Sequence, residues 1–358
     1  MTVDLTAIAA NCETVAGTVA PAELWAVVKA DGYGHGAADA GRAALAAGAR
    51  RLCVATLEVA VALRDVLPDA PVLVMGPLAP GDEERVEAIE VAVSSVEGFA
   101  RLRSAARVPV GVHVKVDTGM GRWGMSAAEA ARVGAELAAG EGPLRLAGLM
   151  SHLASAASDP AATQRQLERF AAVERDFSPC SRHVANSAAA LGTPAARFDA
   201  VRCGVAVYGL SPWGDDPLEH GLRPALTFES YVAQVKRLEA GDAAGYGRRF
   251  VAERPTWIGL VPAGYADGVP RALSGVMDVL AGGRRRRVVA TISMDQLTFE
   301  IGPDLDVEPG DRVVLIGAQE GERIGSEEWA ARSGTINYEI VTDIAPRRRR
   351  VEHVVLEA

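Results

Sequence analysis

The chain has 358 residues, 49% of them apolar, with 46 acidic side chains set against 37 basic ones for a formal charge of -9. That composition is globular, and its acidic balance gives little attraction for phosphodiester polymers, so nucleic acid is not an expected partner. The length exceeds one ordinary core and falls short of three, which points to a large barrel plus a smaller domain.

A helical period over 4–17 opens the chain. Short apolar runs then alternate with longer Ala/Leu/Glu/Arg-rich stretches. Strands are predicted at 24–29, 52–55, 72–75, 90–93, 112–116, 144–150, 181–185 and 200–208, and helices between them at 36–47, 57–66, 95–106, 126–139 and 160–176. Eight βα units of this size predict a (β/α)8 TIM barrel, an α/β fold, with an open doubly wound sheet as the alternative pattern. After the Pro/Gly/Asp-rich connector SPWGDDPLEHG the rhythm changes to LTFESYVAQVKRL, PTWIGLVP, RVVATI, LTFEI and DRVVLIG, with helical character only at 326–333. The expected division is a barrel domain over 1–221 and a mostly β domain over 222–358. The arginine runs 284–287 and 347–350 read as solvated hairpin or strand ends, with phosphate or nucleic-acid binding as the lesser reading.

Cys12, Cys53, Cys180 and Cys203 form no CxxC pair, which fits reduced thiols better than a disulfide framework or a zinc site. The first residues carry Asp4 where a signal peptide needs positive charge, and no stretch approaches the roughly 20 apolar residues that span a bilayer. The expected location is the cytoplasm, with no membrane partner. Motifs of P-loop, HExxH and GxSxG type are missing, and the six histidines lack metal-ligand spacing, so no metal is expected.

Lysine is scarce: Lys29, Lys115 and Lys236 stand against 34 arginines. Arginine stays protonated in proteins, whereas an amine can be deprotonated into a nucleophile, so a surviving lysine marks either a chemical site or chance retention. In a parallel barrel the functional loops lie at the carboxyl ends of the strands. Lys29 stands there in AVVKADGYGHG, where apolar neighbours would desolvate its amine and favour attack on an aldehyde, as a Schiff-base lysine requires. Its plainer role is to cap a strand.

Lys115 and Asp117 in HVKVDTGMGRWG share a strand face, and with Arg122 they form either a salt-bridge cluster or part of an active site. His152 ends another strand in GLMSHLASA, as a core histidine or a catalytic one. Ser187 in HVANSAA opens a predicted helix, either to hold a phosphate at its positive end or as an ordinary N-cap. Arg202 and Gly204 fall at the eighth strand, where barrel phosphate sites gather. PAGYADG, SMDQ and TINYE each place a polar or aromatic group in a tight-turn context.

Taken together, these segments resemble the alanine racemases, fold-type III enzymes that use pyridoxal 5'-phosphate. The likeness runs from VDLTAIAANCETV through AVVKADGYGHG, VDTGMGRWG, SHLASA, HVANSAA, FDAVRCGVAVYGLSP, PAGYADGVPR and ISMDQ to TINYEI. It implies that Lys29 carries the Schiff base and acts as the base on the D side of the α-carbon. Tyr33, Ser187, Gly204, the backbone of Val205 and Tyr338 hold the phosphate, Arg202 faces the pyridine nitrogen, and His152 lies near the ring. Tyr265, from the partner subunit of a head-to-tail homodimer, is the opposite base. Met294 is carried over as a substrate-binding residue of the partner chain. Arg122 reaches the cofactor and the substrate carboxylate, supported by Lys115, which many family members carry as N6-carboxylysine. Two bases on opposite faces then invert an acidified α-carbon, and the D-alanine formed supplies peptidoglycan.

The sequence departs from the common family pattern at Ala263, at Ser293 and in GDAAGYGRRF, and those departures bear on substrate range. A serine or broader-specificity racemase of the same family is the alternative, because a pocket discriminates weakly between side chains differing by a hydroxyl. A related diamino-acid decarboxylase usually has a longer chain and a cysteine in its β domain. Non-catalytic pyridoxal-phosphate-binding relatives are single barrels.

Overall fold

The computed structural model describes residues 1–175, 177, 179–344 and 352–355. The chain forms two compact units, one of Ala7–Trp213 with Gly221–Arg223 and one of Met1–Thr6, Gly214–His220 and Pro224–Ala358.

The first unit is a TIM barrel. Its parallel strands are β1 (Glu23–Val27), β2 (Arg51–Val54), β3 (Val72–Val74), β4 (Glu90–Val93), β5 (Val110–Lys115), β6 (Leu144–Met150), β7 (Ser181–His183) and β8 (Ala200–Cys203), each paired to the next from β1 to β7, with β8 paired to β1. Backbone bonds from Asp199 N to the Arg182 carbonyl (3.1 Å) and from Arg202 N to the Ala185 carbonyl (3.0 Å) bridge β7 and β8. The strands are short runs of Val, Leu and Cys, and Leu52, Cys53, Val54, Val112 and Val114 are fully buried, as strands covered on both faces require.

The connecting helices start where local chemistry starts them. Ser126 and Glu129 form a reciprocal capping box on Ala127–Ala138, and Asp159 with Pro160 at the first helical position opens Pro160–Glu174. All eight predicted strands and all six predicted helices are present. Three strands end at least two residues before the prediction, the run 181–185 among them, which stops at His183. The strand predicted to reach residue 208 stops at Cys203, because Gly204 leaves the extended region and Val205–Tyr208 coil into a 3-10 turn. β1 stops at Val27, so Lys29 begins the following turn rather than ending the strand.

The second unit is mostly β. Its sheet runs in the order Gln234–Leu238, Thr256–Val261, Leu297–Gly302, Arg284–Val289, Asp278–Ala281, Arg312–Gln319, Leu226–Tyr231, Thr2–Asp4, Glu352–Val354. Pairing is antiparallel except between the last two, and Glu322–Ile324 adds to Arg312–Gln319. Helix Ser326–Ser333 lies where the periodicity places it. A second helix, Asn337–Asp343, takes up the TINYE segment that reads as a turn, since seven residues are too few to show a helical period.

The run Arg284–Arg287 is a strand, and its solvated reading fails at Arg286. That side chain is buried and donates to the carbonyls of Ala281 (2.9 Å) and Ile301 (2.8 Å) and to Asp306 (2.7 Å). The run 347–350 lies outside the described residues. No helix among the described residues is long and apolar enough to cross a membrane.

Candidate active site

The turn after β1 is left-handed. Ala30, Asp31, Gly32, Tyr33 and Gly34 have φ between 50° and 81°, and Gly36 has φ 87°. Each non-glycine residue there costs about 1 kcal/mol or more, so the surroundings must hold it. Bonds from Gly32 N to the Val28 carbonyl and from Gly36 N to the Asp31 carbonyl close the turn, and Asp31 Oδ1 accepts Ala37 N at 2.9 Å to start the next helix. The turn sets the Lys29 amine 5.9 Å from the Tyr33 ring centre. Lys29 is half-buried. Its pKa is pulled below the usual lysine range, first by desolvation and then by the charge of Arg122, so the nucleophilic form costs less than at the surface.

Tyr33 is buried, stacked at a tilt on Tyr208 with ring centres 5.2 Å apart. Tyr208 stacks in turn on His35 and donates its hydroxyl to the Val27 carbonyl at 3.0 Å, tying the turn to the end of β1. The Tyr33 hydroxyl rests against Gly204, where a Cβ would come within 2.3 Å of it. Only glycine admits this approach.

Ser187 is buried one position inside its helix, which Asn186 caps through Ala189 N (3.1 Å). The N-cap reading of Ser187 therefore fails. Its hydroxyl accepts the N–H groups of Gly204 (3.1 Å) and Ala206 (3.4 Å), joining the helix start to the turn after β8. The buried N–H of Val205, between those two, meets no acceptor among the described residues.

Arg202, on β8, is 4% exposed. Its Nη1 donates to His183 Nδ1 (2.6 Å) and the His183 carbonyl (2.7 Å). Its Nη2 donates to the Ser151 carbonyl (2.7 Å) and lies 3.5 Å from His152 Nδ1. Nε makes no bond to a described residue. Burial draws the guanidinium down to about 10, which still leaves it cationic at neutral pH. His152 is held down to about 3, chiefly by desolvation and then by Arg202, Arg122, Lys115 and Lys29. It is a neutral imidazole at pH 7, so it offers a hydrogen bond and no positive charge.

Lys115 ends β5 with its amine buried and drawn down to about 8, mainly by desolvation and then by Arg202 and Arg122. Its Nζ lies 5.5 Å from the ring centre of Trp123, and the Arg122 guanidinium lies 5.6 Å from the same ring. The salt-bridge reading of Lys115, Asp117 and Arg122 does not survive. The Asp117 carboxylate instead accepts the backbone N–H groups of Gly119, Met120 and Gly121 and shapes the loop. Trp123 escaped the sequence reading because one exposed aromatic in a loop carries no periodic signal.

Tyr265 and Met294 come together in the second unit. Tyr265 N donates to the Ser293 carbonyl (3.0 Å) and Ala266 N to the Met294 carbonyl (2.9 Å), and both side chains are exposed, at 44% and 51%. Ala263 is fully buried beside this turn. Tyr338 lies in helix Asn337–Asp343, and GDAAGYGRRF forms a small hairpin with Tyr246 exposed.

The sequence matches the family model of the alanine racemase N-terminal domain over residues 3–212 and that of the C-terminal domain over residues 225–352. The alanine racemase of Thermobifida fusca is 42% identical, the match covering 98% of this chain and 96% of that one. Among solved structures, alanine racemase from D-cycloserine-producing Streptomyces lavendulae is 40% identical with a TM-score of 0.92, covering 100% of this chain and 96% of that one. The alanine racemase of Bartonella henselae, solved with covalently bound pyridoxal phosphate, is 31% identical with a TM-score of 0.88, covering 99% and 98%. With two domain models in register along one chain and relatives similar over nearly their full lengths, the chain belongs to the alanine racemase family of pyridoxal-phosphate-dependent isomerases.

Proposed function

We propose that this chain interconverts L-alanine and D-alanine, with Lys29 anchoring pyridoxal 5'-phosphate. The observation that carries the reading is the Lys29 turn: a desolvated amine and a buried tyrosine hydroxyl delivered together at the end of β1, the hydroxyl set against Gly204. The barrel groups fit a phosphorylated pyridine. The unmatched Val205 N–H, the Ser187 and Tyr33 hydroxyls and the close approach at Gly204 suit a phosphate, the free Nε of Arg202 suits a ring nitrogen, and Lys29 suits an aldehyde. We assign Lys29, Tyr33, His152, Ser187, Arg202, Gly204, Val205 and Tyr338 to the cofactor.

When bound, pyridoxal phosphate supplies an electron-delocalising ring that acidifies the α-hydrogen of the amino acid. The protein's own groups do the rest. Lys29, biased toward its neutral form, accepts or returns the α-proton on the D face. Tyr265 of the partner subunit serves the L face, and with the partner's Met294 it makes the site a property of the homodimer. Arg202 keeps its proton at neutral pH, so it donates a hydrogen bond to the ring nitrogen without protonating it. Arg122 takes the substrate carboxylate. Lys115, with about one-tenth of its amine neutral at pH 7, adds carbon dioxide to its lone pair and releases a proton, becoming a carbamate anion beside Arg122.

We place the enzyme in the cytoplasm, supplying D-alanine for peptidoglycan. The test is a chiral assay across a panel of L-amino acids with and without added cofactor. Alanine should turn over fastest and only with cofactor, and failure to racemise alanine would overturn the proposal. A deletion strain should require D-alanine, and one that does not would remove the peptidoglycan role.

A further inference from the structure

The Arg202 guanidinium is a buried cation whose direct partners are all neutral: three backbone carbonyls and two imidazoles. An isolated buried charge is costly, so where its compensation comes from is a real question. The bonds lead away from the site. His183 Nε2 lies 2.8 Å from His113 Nδ1, and His113 Nε2 lies 2.6 Å from Glu90 Oε2. Glu90 is also ion-paired with Arg51. The line crosses the barrel from β8 through β7 and β5 to the first residue of β4.

Arginine has donors only, and this fixes every hydrogen in the line. His183 Nδ1 must accept from Arg202, so a neutral His183 carries its hydrogen on Nε2 and donates it to His113 Nδ1. His113 in turn carries its hydrogen on Nε2 and donates to Glu90. An imidazolium at either histidine would set two N–H groups face to face. Burial supports the neutral state: both rings are held well below the ordinary histidine range, first by desolvation and then by the neighbouring arginines.

The interior is built around this line. Trp25 packs against both imidazoles, with ring centres 5.7 Å from His113 and 4.5 Å from His183, and Arg51 covers Trp25. A Cβ at residue 148 would strike His113 Nδ1 at 2.3 Å and one at residue 111 would strike Glu90 Cγ at 2.8 Å, so glycine at both positions keeps the line open.

We propose that Glu90 and His113 are positioning residues for Arg202, setting through His183 the single hydrogen order that holds the guanidinium in place from the opposite end of the barrel. The inference rests on the racemase reading for its consequence but not for its geometry. In this arrangement Glu90, held in its own ion pair with Arg51, is the acceptor that terminates a directional chain, and that chain fixes the guanidinium plane.

The test uses the full chain, labelled with 15N-histidine, with and without pyridoxal phosphate, and signals assigned from single His→Gln variants. His113 and His183 should both appear as neutral rings with hydrogen on Nε2 in either preparation. Hydrogen on Nδ1 of either ring would overturn the proposal. Glu90→Leu removes the acceptor and should transfer a detectable part of the His113 hydrogen to Nδ1 while lowering alanine kcat about tenfold, with KM changing less than about twofold. Glu90→Gln keeps an acceptor oxygen and should restore both the tautomers and kcat to within about threefold. A Leu variant that loses turnover with unchanged tautomers, or changes tautomers with full turnover, would refute the positioning role. A loaded chain with the expected hydrogen order but no alanine turnover would sink the racemase reading and uphold the order.

Discussion

Gly204→Ala is the sharpest test of the cofactor cradle. The added Cβ would lie 2.3 Å from the Tyr33 hydroxyl oxygen, 2.7 Å from Cζ and 3.0 Å from Cε2. Ordinary contact needs about 3.5 Å, so the hydroxyl must retreat by about 1 Å. The ring has little room to yield, because it is stacked on Tyr208, whose own hydroxyl is fixed to the Val27 carbonyl. A shift of that size breaks a hydrogen bond to a phosphate oxygen, and bonds to charged groups contribute about 1.5–3 kcal/mol. The expected loss is therefore about 10- to 150-fold in pyridoxal phosphate affinity, measured by titrating cofactor-free protein and following absorbance. Tyr33→Phe should reproduce most of the loss, and the double variant should be little worse than either single one, since both remove the same bond. Binding within about twofold of the unaltered protein in Gly204→Ala would refute the reasoning.

Borohydride should fix the cofactor on Lys29, read as a peptide mass shift, and a reduced adduct elsewhere would displace the anchor. Tyr265→Phe should slow solvent-deuterium exchange from L-alanine far more than from D-alanine, and equal losses would end the two-base assignment. The Lys115 amine titrates near 8 in the fold and near 10.5 unfolded. The unfolded chain thus binds more protons between those values, so this group's contribution to stability rises with pH across that window. Denaturant midpoints for the chain and for Lys115→Met should diverge from pH 8 to 10, and parallel curves would contradict the lowered pKa. The same shift predicts that a 13C-labelled bicarbonate signal on Lys115 grows from pH 6 to 8.5, and its absence would remove the carbamate.

The barrel was legible because several of its strands are buried and read as short apolar runs, as in LCVA and VLVM, while caps such as Ser126 with Glu129 mark the helix starts. The end of the eighth strand was not legible, since the residues after Gly204 continue apolar as VAVY, and what turns the chain is the backbone of Gly204 with the capture of two N–H groups by the distant Ser187. Arg286 was hidden for a similar reason: four arginines in a row look solvated, and the carbonyls that bury one of them come from other strands. Lys29 and Lys115 were flagged first by scarcity, then by their places near the ends of predicted strands and by the family resemblance. Glu90, His113 and His183 went unremarked because each stands singly in a different strand, and only the closed barrel brings them within bonding distance.

The lysine count now has a physical reading. Lys236 is exposed on strand Gln234–Leu238, where an arginine would do as well. Lys29 and Lys115 have their basicity drawn down by burial, and both are affected by the same Arg122. Arginine could replace neither without losing the chemistry, because it remains protonated where each proposed role needs a neutral amine. The argument predicts an asymmetry between replacements. Lys236→Arg should leave turnover unchanged, while Lys29→Arg should abolish it even though the charge is retained. Lys115→Arg should fall between, keeping cofactor on Lys29 but weakening the hold of Arg122 on the substrate carboxylate, so that KM rises more than kcat falls. If Lys115→Arg instead left both constants unchanged, a buried cation would suffice at that position and its scarcity would be chance.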